Sequence, residues 1–331
     1  MSVPPLLRVD GLKTHYFGFG GSRVVKAVDG VSFTVEAGET FGLVGESGCG
    51  KTTTCHSIVR LLSPSCRIVA GRIELDGKNL LELSAREMRE VRGRRIASIL
   101  QDPMASLDPL FSIGNQVAEP AYYHGLLRGR PLLRRVQELL AAVRIPSPEK
   151  RLREFPHQMS GGMRQRIVGA IAQAGEPRLI IADEPTTNLD VTIQLQYLNL
   201  LKELQQASKV ALIFVTHNLG IVAKMCDTVA VMYAGRIVEK QSVRGLFYKP
   251  QHPYTKALLD SIPKLGTKEP LYAVPGQPPD LSALPSGCSF HPRCAQAMER
   301  CRTEEPHEHS NGDGGTTRCW LTTQPQETAL V

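Results

Sequence analysis

The chain has 331 residues, 42% of them apolar and 21% charged, with a net charge of +7. These values describe an ordinary globular protein with room for one large domain, or a large and a small one. No apolar run approaches the roughly 18–20 residues needed to cross a bilayer, and the first ten residues lack the features of a secretory signal, so a cytosolic chain is expected. The positive charge is scattered, with only short clusters such as Arg92, Arg94 and Arg95. It fits a solvated basic surface as well as a binding face, and no nucleic-acid partner is assigned.

Taken in order, residues 7–17 and 31–35 alternate like short strands around a Gly-rich turn at 18–21. Residues 40–44 form a short apolar strand that runs into a glycine-rich loop, and a helical pattern follows to about Leu62. Residues 72–75 and 96–100 are further strands. From 112 to 174 the pattern is helical, broken by Pro131, Pro146, Pro148 and Pro156. Strand character returns at 179–182, 210–215 and 228–232, with helix-like segments before the last two. Such alternation predicts an α/β fold with a largely parallel sheet covered by helices. After about Lys249 the chain becomes rich in Pro, Gly, His and Cys, which places a boundary near Leu246.

The glycine-rich loop, Gly45-Glu46-Ser47-Gly48-Cys49-Gly50-Lys51-Thr52, matches G-x-x-x-x-G-K-[ST] and continues into Thr53. Glycines let backbone N–H groups close around phosphates, and the following helix offers its positive end to them. Lys51 adds a cation for the β- and γ-phosphates, and the Thr52 hydroxyl is a Mg²⁺ ligand. A second element, the apolar strand ending in Asp183-Glu184, delivers two carboxylates at its exposed end. Asp183 suits Mg²⁺, and Glu184 suits a general base that polarises water facing the γ-phosphate.

A third element narrows the reading. Met159-Ser160-Gly161-Gly162-Met163-Arg164-Gln165-Arg166 resembles the signature of the ATP-binding-cassette ATPases, in which a helix start made by Ser160, Gly161 and Gly162 contacts the γ-phosphate held by a partner subunit. The resemblance implies a P-loop NTPase cassette with a mainly parallel sheet, an antiparallel β subdomain and a helical subdomain at about 102–174. It also implies roles for Gln101 as a Mg²⁺-sensing glutamine, His217 as the switch histidine and Tyr16 as the adenine-stacking aromatic. Thr187-Asn188-Leu189-Asp190 resembles the dimer-contact loop, although Ala is commoner where Asn188 stands.

Residues 101–109, Pro156-His157-Gln158 and His252-Pro253-Tyr254-Thr255 are similar to the dipeptide and oligopeptide importer group. The methionine-containing signature resembles the first of the two ATPase subunits in such systems. The implied assembly is a heterodimer with a related second ATPase, two membrane permease subunits and an extracytoplasmic solute-binding protein, with this chain peripheral on the cytoplasmic face of the cell membrane. Its implied activity is ATP hydrolysis coupled to peptide uptake. Relatives in the group also import nickel, glutathione-like compounds or oligosaccharides, and a soluble cassette outside transport is the remaining alternative. The expected division is a cassette at 1–245 and a small Cys-containing C-terminal extension at 246–331.

Cys288, Cys294, Cys301 and Cys319 crowd into that extension, separated by five, six and seventeen residues. Four soft ligands in a reducing compartment suggest a metal site, but the spacing lacks paired C-x₂-C knuckles and leaves zinc and iron–sulfur open. Gly287-Cys288-Ser289-Phe290-His291-Pro292-Arg293-Cys294 resembles the peptide-importer tail, which implies a [4Fe–4S] cluster, with zinc as the alternative. The tail is Pro-rich and poor in apolar residues, so a metal centre is expected to supply folding energy there.

Overall fold

The structure is a computed structural model, and it describes residues 4–18, 20, 22–263, 266, 272–312 and 314–323. The expected Gly-rich turn at 18–21 falls partly outside them. The first elements are β1 (Leu7–Gly18), β2 (Arg23–Val35), β3 (Thr40–Val44), α1 (Lys51–Val59), β4 (Cys66–Leu75), β5 (Lys78–Asn79), α2 (Ala85–Val91) and β6 (Ile96–Ile99). Helices α3 (Pro103–Ser106), α4 (Ile113–Tyr123), α5 (Gly129–Ala142), α6 (Pro148–Arg151) and α7 (Gly161–Ala174) come next. Then follow β7 (Leu179–Asp183), α8 (Val191–Ser208), β8 (Ala211–Thr216), α9 (Leu219–Met225), β9 (Thr228–Tyr233), β10 (Arg236–Ser242), α10 (Val243–Tyr248) and α11 (Pro253–Asp260). The tail adds α12 (Glu299–Thr303), β11 (His309–Ser310), β12 (Thr316–Thr317) and α13 (Trp320–Thr323).

Contacts divide the chain into two units. One comprises Met1–Leu6, Val35–Thr40 and Asp76–Val215. Its strands β6, β7 and β8 pair in parallel, in register from Ile96↔Leu179 and Leu179↔Ala211. Every residue of β7 and β8 is buried, as expected of strands covered on both faces. The helices α4 and α5 pack on α7. Pro131 does not interrupt α5, because it sits in the first turn, where a missing N–H breaks no hydrogen bond. Pro120 lies inside α4 and the helix runs on past it.

The other unit comprises Leu7–Thr34, Phe41–Leu75 and Thr216–Val331. Here β1 lies between β2 and β4, antiparallel to β4 from Leu7↔Leu75 to Tyr16↔Cys66. Strand β3 pairs in parallel with β9, β9 is antiparallel to β10, and the tail strands β12 and β11 extend the same ladder. Strand β2 is longer than the alternation at 31–35 implies. Asp29 interrupts that alternation, yet it is buried, because Arg236 bonds its carboxylate at 2.7 Å and Lys13 lies 3.4 Å away. Burial alone would raise the Asp29 carboxyl, but these two cations hold it below its usual range.

The tail buries more than its composition suggests. Phe290 is 3% exposed and packs with Tyr233 and Tyr254 in a cluster that also holds Val229, Val231 and Leu246. One such side chain is worth about 2 kcal/mol of burial. Trp320 is buried under Arg300, whose guanidinium carbon lies 3.5 Å from the ring centroid. The tail therefore draws stability from a core shared with β9 and β10, in addition to anything a metal supplies.

Candidate functional site

The glycine-rich loop joins β3, buried throughout, to α1. Gly45 and Gly50 have φ of +155° and +108°, and a Cβ on either would come within 2.2 Å of the Met232 carbonyl oxygen or 2.1 Å of that of Ala27. Only glycine fits both positions, so the backbone can curl into a cradle of N–H groups. Lys51 is 5% exposed, and its ammonium donates to the carbonyls of Gly45 at 2.7 Å and Glu46 at 3.0 Å. This folded-back cation lies beside the cradle, where an anion of the right size would attract it. The Thr52 side chain stays exposed, and Thr53 bonds the Tyr16 hydroxyl at 3.3 Å. Tyr16 is half-buried on β1, so the structure brings this aromatic to the start of α1. His217 follows β8 directly and is exposed, ahead of α9, which Asn218 caps.

In the other unit, Asp183 ends β7 and is buried. Glu184 follows with φ +45°, a left-handed backbone that costs a non-glycine residue on the order of 1–3 kcal/mol. Its Oε2 accepts hydrogen bonds from Gln101 Nε2 at 3.3 Å and from Thr187 Oγ1 at 3.0 Å. Two neutral donors thus help to orient the carboxylate. Ser160 caps α7 by accepting from the Met163 N–H at 3.3 Å, and Ser160 and Gly161 are exposed. A Cβ on Gly162 would meet Ile193 at 2.9 Å, which explains a glycine there on packing grounds.

The four tail cysteines are brought together. All of them line one small cavity, with Phe290, His291 and Trp320 beside them. None of the eight cysteines is in a disulfide. Burial pushes the Cys288 and Cys319 thiols up to about 11, and the neighbouring cysteines add to the rise. Among the described residues no group of three or more His, Cys, Asp or Glu has the arrangement of a metal site. Donor type and the shared cavity suit a soft metal. The nearby histidines have other partners: His291 Nδ1 pairs with the Cys288 carbonyl at 3.0 Å and His309 Nε2 with Thr322 at 2.7 Å.

Two features escaped the sequence reading. One is a groove of about 490 Å³ bordered by Asp108, Phe111, Gln116, Glu119 and Tyr122, next to the exposed side chains of Leu110 and Tyr123. Its only sequence signal was the unusual run at 101–109. The other is the contact of Arg293 with Glu46, two residues 247 positions apart for which no spacing rule exists.

Comparison with known proteins agrees with this geometry. Residues 28–187 match the family model for the ABC transporter, and residues 238–301 match that for the oligopeptide/dipeptide transporter C-terminal region. A probable peptide ABC transporter ATP-binding protein of Sinorhizobium fredii is 49% identical, covering 95% of this chain and 94% of its own length. A dipeptide transport ATP-binding protein of Bacillus subtilis is 46% identical over 98% of this chain and 97% of its own. Among solved structures, the dimeric structure of a bacterial ABC transporter cassette superposes with a TM-score of 0.64 at 25% identity, covering 72% of this chain and 99% of that one. With the phosphate cradle, the paired carboxylates and full-length similarity all in place, the chain belongs to the ABC transporter ATPases, in the group that carries the oligopeptide/dipeptide transporter C-terminal region.

Proposed function

We propose that this chain is the ATP-hydrolysing subunit of a peptide importer, the first of two related ATPases that sit on the cytoplasmic face of the cell membrane. The observation that carries the reading is an intact phosphate cradle in the same chain as the oligopeptide/dipeptide transporter C-terminal region. The cassette spans 1–245, with its helical part at about 102–174, and the extension spans 246–331. The N–H groups from Gly45 to Thr53, with Lys51, receive the phosphates, and Tyr16 stacks on adenine. By the family resemblance Thr52, Asp183 and Gln101 would each be a ligand of Mg²⁺, which would offset phosphate charge. Glu184 takes the proton of the attacking water, and His217 contacts the γ-phosphate. Ser160, Gly161 and Gly162 complete the partner ATPase's site, which the exposed position of Ser160 and Gly161 supports.

The groove around Phe111 and Tyr122 receives a cytoplasmic helix of a membrane subunit, apolar on one side and basic where it meets Asp108 and Glu119. A solute-binding protein outside the membrane delivers the peptide. Because each site takes its signature helix from the other subunit, the isolated chain should hydrolyse ATP slowly. The complete assembly in lipid should hydrolyse it about tenfold faster or more, a difference of about 1.4 kcal/mol in barrier. Steady-state phosphate release measured for both preparations is the test, and equal rates would sink the shared-site reading.

Cys288, Cys294, Cys301 and Cys319 would hold a [4Fe–4S] cluster in this reading. Their convergence on one cavity supports it, and a bound cluster would deprotonate Cys288 and Cys319, whose thiols burial otherwise holds neutral. Protein purified without oxygen should contain about four irons with equal sulfide, both lost in Cys294→Ser. One zinc without sulfide would reject the cluster.

A further inference from the structure

The side chain of Arg293 joins the cysteine tail to the phosphate loop. Arg293 stands between Cys288 and Cys294 in a single 3₁₀ turn, His291–Arg293, and its side chain is only 4% exposed. Its Nη1 donates to Glu46 Oε2 at 2.7 Å and its Nη2 to Glu46 Oε1 at 2.9 Å, a two-pronged pairing that fixes the carboxylate in plane. The other donors are taken up locally. Nε bonds the Pro275 carbonyl at 2.8 Å, and weaker bonds reach the Val274 carbonyl and the Tyr233 hydroxyl.

Glu46 is the second residue of the loop, and its backbone is gripped as well. Its N–H donates to the Tyr254 hydroxyl at 3.0 Å, and its carbonyl accepts from Lys51. Tyr254 is itself locked in place, packed against Tyr233 and Phe290. The start of its helix is held by the buried Glu239, whose carboxylate accepts from the N–H groups of Gln251 and His252, while His252 Nδ1 accepts from Tyr254 N–H. Side chain and backbone of one loop residue are thus both held by segments that follow β9.

A carboxylate in a loop built to bind anions is an electrostatic liability, since it repels the phosphates that the N–H groups attract. We propose that Arg293 is a positioning residue for the phosphate loop, neutralising and holding Glu46 so that the C-terminal extension sets the loop's affinity for a nucleoside triphosphate. The inference rests on the reading of residues 45–52 as the phosphate loop.

The test uses the full chain in its transporter complex, with the KM for ATP, kcat and the binding of a fluorescent ATP analogue as readouts. Arg293→Gln strands the Glu46 carboxylate, and the KM and Kd for nucleotide should rise about tenfold or more while kcat changes less than about twofold. In the E46Q background the same substitution should change affinity by less than about twofold, because no stranded charge remains. Arg293→Lys should recover part of the loss through one of the two bonds. A tail that merely unfolds would lose affinity equally in both backgrounds, so a loss that E46Q does not relieve overturns the proposal. Unchanged affinity in Arg293→Gln overturns it too. If Lys51→Ala keeps full nucleotide binding, the loop reading fails and the proposal falls with it.

Discussion

Replacing Glu184 with glutamine should leave ATP binding within about twofold and slow turnover by about 10² to 10⁴. The geometry makes this a clean substitution. Two donors to the side chain, Gln101 Nε2 and Thr187 Oγ1, converge on the same oxygen. An amide oxygen in that place keeps both bonds and the side-chain orientation, so only the basicity is lost. The strained backbone at φ +45° is untouched by the change. Nucleotide binding measured beside steady-state hydrolysis in the assembled transporter separates the two effects. Near-normal hydrolysis would remove Glu184 from the role of base.

A second large effect is expected from one methyl group. In Gly50→Ala the new carbon would lie 2.1 Å from the Ala27 carbonyl oxygen and 3.1 Å from Met232 Cε, on a backbone at φ +108°. The backbone carbonyl cannot swing aside as a long side chain can, so the loop itself must move. Lys51 directly follows, and its ammonium is held to carbonyls of the same loop. Nucleotide affinity should fall by about 10²-fold or more, equivalent to about 2.7 kcal/mol. Titration with a fluorescent ATP analogue, with thermal unfolding as a control for global damage, reads the result. Affinity within about threefold of the unmodified chain would show that the cradle does not depend on this glycine.

The residues proposed for the nucleotide site could be picked out of the sequence because their chemistry is local. A phosphate cradle needs glycines, a lysine and a hydroxyl within eight positions, and β7 carries its carboxylates at its own end. The largely apolar strands β3, β7, β8 and β9 were readable for the same reason. Strand β10 was not. It contains Arg236, Glu239 and Lys240, which read as surface, yet Glu239 is fully buried because Gln241 and the N–H groups of Gln251 and His252 satisfy it. The early half of β2 was hidden in the same way, since Asp29 is compensated by Arg236 from 207 positions away. Compensation by distant residues leaves no periodicity, so polar strands closed by tertiary partners escape a pattern reading. The tail was misjudged for a related reason: a few aromatics suffice when the core they enter belongs to another segment.

The pairing of the tail with β10 bears on what counts as a separable part. Thr316 and Thr317 lie opposite Lys240 and Glu239, and the Arg318 N–H reaches the Val238 carbonyl at 2.8 Å. Strand β12 occupies a margin of β10 that would otherwise present bare N–H and C=O groups to solvent. Such a margin is a template for a neighbouring molecule, which proteins commonly cover or blunt. Cutting the chain after residue 245 would remove that cover along with the cysteines. A shortened cassette is thus a protein with a newly sticky flank, and any clumping it shows would report on the missing hem of the sheet rather than on its nucleotide chemistry.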